Sequence, residues 1–160
     1  MKAVTVKELK TELAHYSQKD LIELCLRLSK FKKENKELLT YLLFESSNED
    51  GYINSIKLEI DEQFEQVNTK TYYFIKKSVR KILRNVKTAI RYSKNKETEV
   101  ELLLYFCKKL KDFKPSIKNN TVLKNLFIRE IESIKKKMLV LHEDLQYDYK
   151  QELEKLKVEY

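Results

Sequence analysis

The apolar positions of the chain recur at spacings of three and four residues, which is the period of an amphipathic helix. This pattern predicts a short first helix on Val6, Leu9 and Leu13, then helices over DLIELCLRLSKF (20–31) and KENKELLTYLLF (33–44). Ser17 stands three residues before Asp20 and is the predicted N-cap of the second helix. The side chains expected to face inward in the second and third helices are Leu21, Leu24, Cys25, Leu28, Leu38, Tyr41, Leu42 and Phe44.

The clearest break in the pattern is SSNEDGY (46–52), which gathers Ser, Asn, Asp and the only Gly of the chain. A fourth helix is predicted beyond it, and its apolar positions are Ile53, Ile56, Ile60 and Phe64. A basic stretch at 66–96 predicts the fifth helix. The sixth begins with acids from Glu97, as the helix dipole favours, and continues into LLLYFCKKL.

The stretch FKPSIKNNT (113–121) contains the only Pro and separates the sixth helix from a last one at about 121–157. The apolar positions of this last segment follow heptad-like spacing for fewer than three repeats, on Phe127, Ile131, Ile134, Met138, Leu141 and Leu145. Such a stripe favours a helix lying across the others, and the alternative is the seam of a dimer.

One Gly and one Pro in 160 residues leave few positions for tight β-turns. We therefore predict an all-α fold, a single domain over 1–160, with about seven helices in an irregular α-α array or superhelical stack and a long C-terminal helix. The opening KAVTVKELKTEL predicts no secretory signal, and the longest apolar run is far too short for a membrane span. Cys25 and Cys107 lack CxxC spacing and are expected to be buried free thiols of a cytoplasmic, bacterial-looking protein.

Residues for catalysis are few, and the sequence favours a protein that is not an enzyme and uses no cofactor. There is no glycine-rich phosphate loop. Glu12 and His15 are three residues apart on one helical face, but a di-iron bundle needs a second such pair, and Leu139 stands where His142 would need its carboxylate. The adjacent side chains of His142, Glu143 and Asp144 point about 100° apart on a helix. We predict no metal site and assign both histidines to surface helix positions.

The fifth helix carries the one localised electrostatic feature. On a helical wheel its apolar residues fall within about 120° and predict a core-facing stripe, formed by Ile75, Val79, Ile82, Leu83, Val86, Ala89 and Ile90. Opposite it runs a row of cations that we call the cationic ridge: Lys77, Arg80, Arg84, Lys87, Arg91 and Lys94. Residues 66–96 contain ten Lys or Arg and no acid, so that the other 129 residues sum to −2 in a chain of net charge +8.

Three accounts of the ridge remain open. It binds phosphates of a nucleic acid or another polyanion in a sequence-independent, salt-sensitive way, with Tyr72 and Tyr73 as candidates for base stacking. Alternatively, it pairs with acids inside the fold, since residues 45–65 have a net charge of −6 and an antiparallel turn would bring Glu62 and Glu65 near the start of the basic helix and Glu49 and Asp50 near its end. The third account is a protein partner with an acidic face.

Two resemblances are carried by the N-terminal quarter. Residues 9–50 resemble small uncharacterised helical proteins of Bacteroidota-type bacteria, through LKTEL, the Ser before DLIE, and the Lys-rich helix leading to an Asn-Glu break. Residues 6–28 are similar to the SAP motif, a two-helix DNA-binding module, at Glu8-Leu9-Lys10, Leu13, Leu21 and Arg27-Leu28. The first resemblance implies no activity. The second implies a DNA contact, although Ser17-Gln18-Lys19 replaces the glycine-containing loop of that module.

From these observations we predict a non-enzymatic helical binding or scaffold module. Its expected ligand is a polyanion such as nucleic acid, bound through the basic helix at 70–94 by Lys77, Arg80, Arg84, Lys87, Arg91 and Lys94. The alternative is a protein-interaction or structural role, dimeric through 121–157, with the basic helix paired inside the fold. A monomer is favoured over a homodimer.

Overall fold

The computed structural model describes residues 1–156, and this part of the chain is helical without a strand. The predicted all-α fold is confirmed. The described residues form eight α-helices: α1 Val6–Leu13, α2 Gln18–Phe31, α3 Lys33–Thr40, α4 Glu49–Glu65, α5 Tyr72–Ser93, α6 Lys96–Asp112, α7 Thr121–Met138 and α8 Glu143–Lys155. A π-helical turn, Tyr41–Glu45, follows α3, and a 3-10 turn, Ile117–Asn119, precedes α7.

The chain divides into two compact units, Met1–Phe44 and Glu45–Tyr160. The boundary adjoins the SSNEDGY break that the sequence predicts. In the first unit, Thr5 begins α1 with a capping box, in which its hydroxyl accepts from the Glu8 N–H and the Glu8 carboxylate accepts from the Thr5 N–H at 2.8 Å. Ser17 caps α2 as predicted, accepting from the Asp20 N–H at 3.2 Å, and α2 packs against α3.

The first unit buries much less apolar surface than its periodicity predicts. Tyr41 is buried as expected, but the predicted inward residues Leu28, Leu38, Leu42 and Phe44 are exposed. Cys25 was expected to be buried and is also exposed, so that prediction is wrong. Three short helices can each have an apolar face without burying it. A side chain becomes buried only when helices pack around it from several directions.

The second unit is built around α6, whose buried side chains extend over most of its circumference. Its buried side chains include Val100, Leu102, Leu103, Leu104, Phe106, Cys107 and Leu110. A helix of this kind is stable only when neighbours cover it from several directions. It contacts α4, α5 and α7, and the ring of Phe64 on α4 lies 5.8 Å from that of Phe106. Because α5 and α7 both pack against α6, they leave a groove between them.

The start of α4 explains the position of the only glycine, which lies in the first helical turn rather than in the break before it. Asn48 is the N-cap and accepts from the Gly51 N–H at 3.0 Å. A Cβ on Gly51 would lie 2.5 Å from the Asn48 side-chain nitrogen. The glycine therefore makes room for the capping side chain.

The prediction of one long C-terminal helix is wrong, because α7 ends at Met138 and α8 begins at Glu143. Three lysines, Lys135, Lys136 and Lys137, occupy the last turn of α7, and two acids, Glu143 and Asp144, the first turn of α8, as the two helix dipoles favour. His142 caps α8 by accepting from the Asp144 N–H at 3.3 Å. Gln146 donates to the free carbonyl of Leu141 at 2.8 Å.

Candidate functional site

The apolar stripe of α5 is buried as predicted, and this fixes the direction of the cationic ridge. All seven predicted residues, from Ile75 to Ile90, are buried. Since the stripe faces the core, the opposite side of the helix faces solvent. All six ridge cations are exposed.

Four of the ridge cations line the groove between α5 and α7, together with a fifth cation from α7. We call this surface the cationic groove; its charged residues are Arg80, Arg84, Lys87, Arg91 and Arg129, and the others are Leu83, Thr88, Val122, Asn125 and Leu126. Arg129 belongs to no basic run, and sequence reasoning missed it. It could be found only by knowing that α7 lies beside α5.

Lys87 differs from the other ridge cations because it has an internal partner. Its ammonium lies 2.8 Å from Oε2 of Glu130, a carboxylate that is only 1% exposed, and Arg129 Nε lies 3.2 Å from the other oxygen. A buried carboxylate requires cations or donors around it. Lys87 therefore stabilises the α5–α7 pairing, and its charge is largely compensated. Among residues 1–156, this is the one ridge cation with a carboxylate within 4 Å.

The acids of residues 45–65 follow the predicted antiparallel course of α4 beside α5, but their partners differ from the expected ones. Near the end of α5, Glu49 accepts hydrogen bonds from the hydroxyls of Ser93 and Thr98. Asp61 faces α6, where it accepts from the Tyr105 hydroxyl at 2.8 Å and from the Lys109 ammonium at 2.8 Å.

This cluster shifts two pKa values. The pKa of Lys109 is raised above its ordinary value chiefly by the hydrogen bond to Asp61. The pKa of Tyr105 is raised chiefly by burial and then by its hydrogen bond to the same carboxylate. The Asp61 carboxylate contributes to both shifts, while burial is the larger cause for Tyr105.

The two ends of the ridge lie outside the groove. Lys77 is one turn before Arg80, and Lys94 ends α5 in the left-handed conformation with φ 56°, donating its N–H to the Ile90 carbonyl at 2.9 Å. That conformation usually belongs to Gly or Asn. Lys94 therefore has a structural role as the helix cap in addition to its exposed charge.

The two tyrosines at the start of α5 have different environments. Tyr72 packs against the core of the second unit, and its hydroxyl donates to the Ser116 carbonyl at 2.9 Å. Tyr73 is 66% exposed. Of the two candidates for base stacking, only Tyr73 presents its ring to solvent.

A second concavity, between α7 and α8, is mainly apolar. It is lined by residues that include Phe127, Ile131, Met138, Tyr147 and Leu153. Its charged lining residues are Glu132, Lys135, Lys150 and Glu154. We assign no chemistry to it.

The groups considered for catalysis are two surface histidines and a buried thiol. His15 and His142 are both exposed, and His142 is a helix cap. Over residues 1–156 no group of three or more His, Cys, Asp or Glu side chains has the geometry of a metal site. Cys107 is buried as predicted, and its pKa is raised chiefly by that burial and further by the nearby Glu130 carboxylate.

No helix in the described part of the chain combines the length and the apolar character needed to cross a membrane. Comparison of the chain with protein-family models, with curated proteins and with solved structures finds no match. The site is therefore interpreted from its own geometry.

Proposed function

We propose that the protein is a non-enzymatic module that binds nucleic acid through the cationic groove and the adjoining ridge. The observation that supports this most directly is the exposure of the ridge beside a groove whose lining residues include no Asp or Glu. Arg80, Arg84 and Arg91 point away from the core on one side of the groove. Arg129 lies on the other side, and its side chain is 68% exposed although its Nε contacts Glu130. Lys87 joins the two helices rather than serving as a free phosphate ligand. The proposal therefore differs from the six phosphate contacts expected from the sequence, because it gives Lys87 a structural role and adds Arg129.

Phosphate is the ligand group that best suits four arginines arranged in this way. A guanidinium presents a planar fork of donors that matches phosphate oxygens. The distance along the axis of α5 from Arg80 to Arg91 is about 16 Å, at 1.5 Å per residue, which is long enough to follow a nucleic-acid backbone over several phosphates. The groove offers Thr88 and Asn125 as its other polar side chains, so we expect binding to depend weakly on base sequence.

The test is fluorescence anisotropy of the full chain with labelled mixed-sequence DNA and RNA at a series of salt concentrations. With about four phosphate contacts, the slope of log K against log salt should be about −3 to −4. Binding should therefore weaken by roughly 60- to 250-fold between 50 and 200 mM salt. The double variant Arg84→Glu/Arg91→Glu should lose most of its affinity and have a shallower slope.

The matched control is Lys136→Glu/Lys150→Glu, which makes the same change in net charge at two exposed positions outside the groove. This control should bind within a few-fold of the wild type. Absence of binding at 50 mM salt would refute the proposal, as would equal losses in the two double variants. Polyglutamate serves as a competitor; displacement of the nucleic acid by it at equal charge concentration would point instead to an acidic protein partner.

We place this activity in the cytoplasm, because both cysteines are free and one of them is exposed. Free exposed thiols are typical of a reducing compartment.

A second candidate function is protein association through the first unit. Its helices expose many large apolar side chains: Val6, Leu9, Leu13, Ile22, Leu26, Leu28, Phe31, Leu38, Leu42, Leu43 and Phe44. Apolar surface of this extent is typical of protein contacts. Light scattering of the full chain over a range of concentrations tests self-association, and a mass of 19.3 kDa at every concentration would exclude it.

The predicted dimer seam on 121–157 has less support. The α7 positions Phe127, Ile134 and Met138 of that stripe are buried within the second unit, and the helix ends at Met138. An exposed continuous stripe is what a coiled-coil dimer requires.

A further inference from the structure

Tyr73 lies on the same side of α5 as the cationic ridge. At 100° per residue it falls within about 10° of the mean direction of the six cations. It stands four residues before Lys77 and seven before Arg80, so it continues the ridge by one turn. Its ring is 66% exposed. It contacts the ring of Phe74 edge-on, with centroids 5.4 Å apart and an interplanar angle of 77°.

We infer that the ridge binds single-stranded nucleic acid, with Tyr73 as a stacking platform for an unpaired base. This inference rests on the proposed function and makes it more specific. A phosphate backbone runs along Arg80, Arg84 and Arg91, and one base beyond it lies flat on the exposed ring. Combining a basic track with an exposed aromatic ring is the general solution for binding single strands without sequence preference.

The position of the ring favours a single strand over a duplex. Bases in a duplex have both faces covered by their neighbours, so an aromatic side chain can stack on one only after it is unstacked. A single strand has bases whose faces are free. Tyr73 contacts Phe74 edge-on while its own ring stays 66% exposed, so ring surface is available on which a base can stack.

The first experiment uses a fluorescent reporter, which is specific because the chain contains no Trp. Tyr73→Trp introduces a single indole on the ridge, and Tyr147→Trp places one at a position of matched exposure, 65%, on α8. Titration with a 12-nucleotide oligo(dT) should quench the emission of the first variant and leave the second unchanged. A duplex of the same length should leave both unchanged.

The second experiment measures affinity. Tyr73→Ala should weaken binding of oligo(dT) on the order of tenfold and leave duplex binding within twofold of the wild type. Tyr73→Phe should bind like the wild type, since the stacking face is retained. These two variants separate the stacking contribution from the charges of the ridge.

The outcomes distinguish failure of this inference from failure of the proposed function. If oligo(dT) and duplex both bind in a salt-dependent way that Arg84→Glu/Arg91→Glu abolishes, while Tyr73→Ala has no effect, the proposed function stands and the stacking role is refuted. The same conclusion follows if only the duplex binds. If neither nucleic acid binds at 50 mM salt, both proposals fall.

Discussion

Replacing Lys87 by Met removes the ammonium that lies 2.8 Å from the buried carboxylate of Glu130. At an effective dielectric constant of about 20, opposite unit charges at that distance attract by roughly 6 kcal/mol, and the desolvation of Glu130 offsets much of this gain. Removal of one partner from a fully buried pair costs about 3–5 kcal/mol. Since the Lys87 side chain is 48% exposed and Arg129 remains at 3.2 Å, we expect the free energy of unfolding to fall by about 1–3 kcal/mol.

Urea unfolding followed by circular dichroism at 222 nm measures this loss, and the melting temperature should fall by about 2–4 °C for each kcal/mol. Arg84→Met is the matched control on the same ridge and should change stability by no more than about 0.5 kcal/mol. The double variant Lys87→Met/Glu130→Leu should recover most of the loss, because it removes both charges. The reasoning fails if Lys87→Met is as stable as Arg84→Met, or if the double variant recovers nothing.

Two further predictions concern thiols and pH. Ellman's reagent should label one thiol per native chain, the exposed Cys25, and two in urea, since burial protects Cys107 and raises its pKa; two fast thiols in the native protein would contradict the fold. Asp61→Asn should lower the free energy of unfolding at pH 7 by about 1 kcal/mol. Asp61 helps to raise the pKa of both Tyr105 and Lys109 in the folded protein. Its stabilising effect is therefore complete below their ordinary pKa values, which are 10.0 for Tyr and 10.5 for Lys. The effect is lost as the pH rises through the higher pKa values of the folded protein. The stability difference between wild type and variant should therefore shrink above about pH 10, and a difference that grows there would reject this account.

Local patterns in the sequence predicted most of what depends on a single helix. The α5 stripe from Ile75 to Ile90 is buried at every predicted position, because a long stripe with one clean period has only one side to bury. The N-cap Ser17 was found in the same way, since a cap involves only residues three apart. The direction of the ridge follows from the stripe once the stripe is known to be buried.

Features that depend on contacts between helices were not predictable from periodicity. Cys25 lies on an apolar face like that of Cys107, yet only Cys107 is enclosed, because α6 is covered by three helices. The break between α7 and α8 contains neither Gly nor Pro. Its signal is electrostatic, as the lysines that end α7 precede the acids at 143–144 that begin α8.

The candidate site also combines features that a single helix determines with features that depend on contacts between helices. Four of its five cations could be identified from spacing alone, but the partner of Lys87 could not, because Glu130 is separated from it by 43 positions and is one of many acids in the sequence. Arg129 was missed for the same reason. The sequence could therefore identify which residues form a basic face, but not which of them the fold already neutralises.

The unequal state of the ridge cations also supports the choice of ligand. Like charges at spacings of three and four along α5 repel by a few tenths of a kcal/mol per pair, and within residues 1–156 only Lys87 gains a carboxylate in return. Solubility requires a charged face, but the charges need not have a single sign, because a mixture of positive and negative residues keeps a protein soluble without this repulsion. A bound polyanion removes this repulsion between the ridge cations. The phosphates of a nucleic-acid strand also supply the negatively charged partners that the fold does not provide for these cations. The same argument predicts that salt, which screens the repulsion, should stabilise the free protein slightly while it weakens binding.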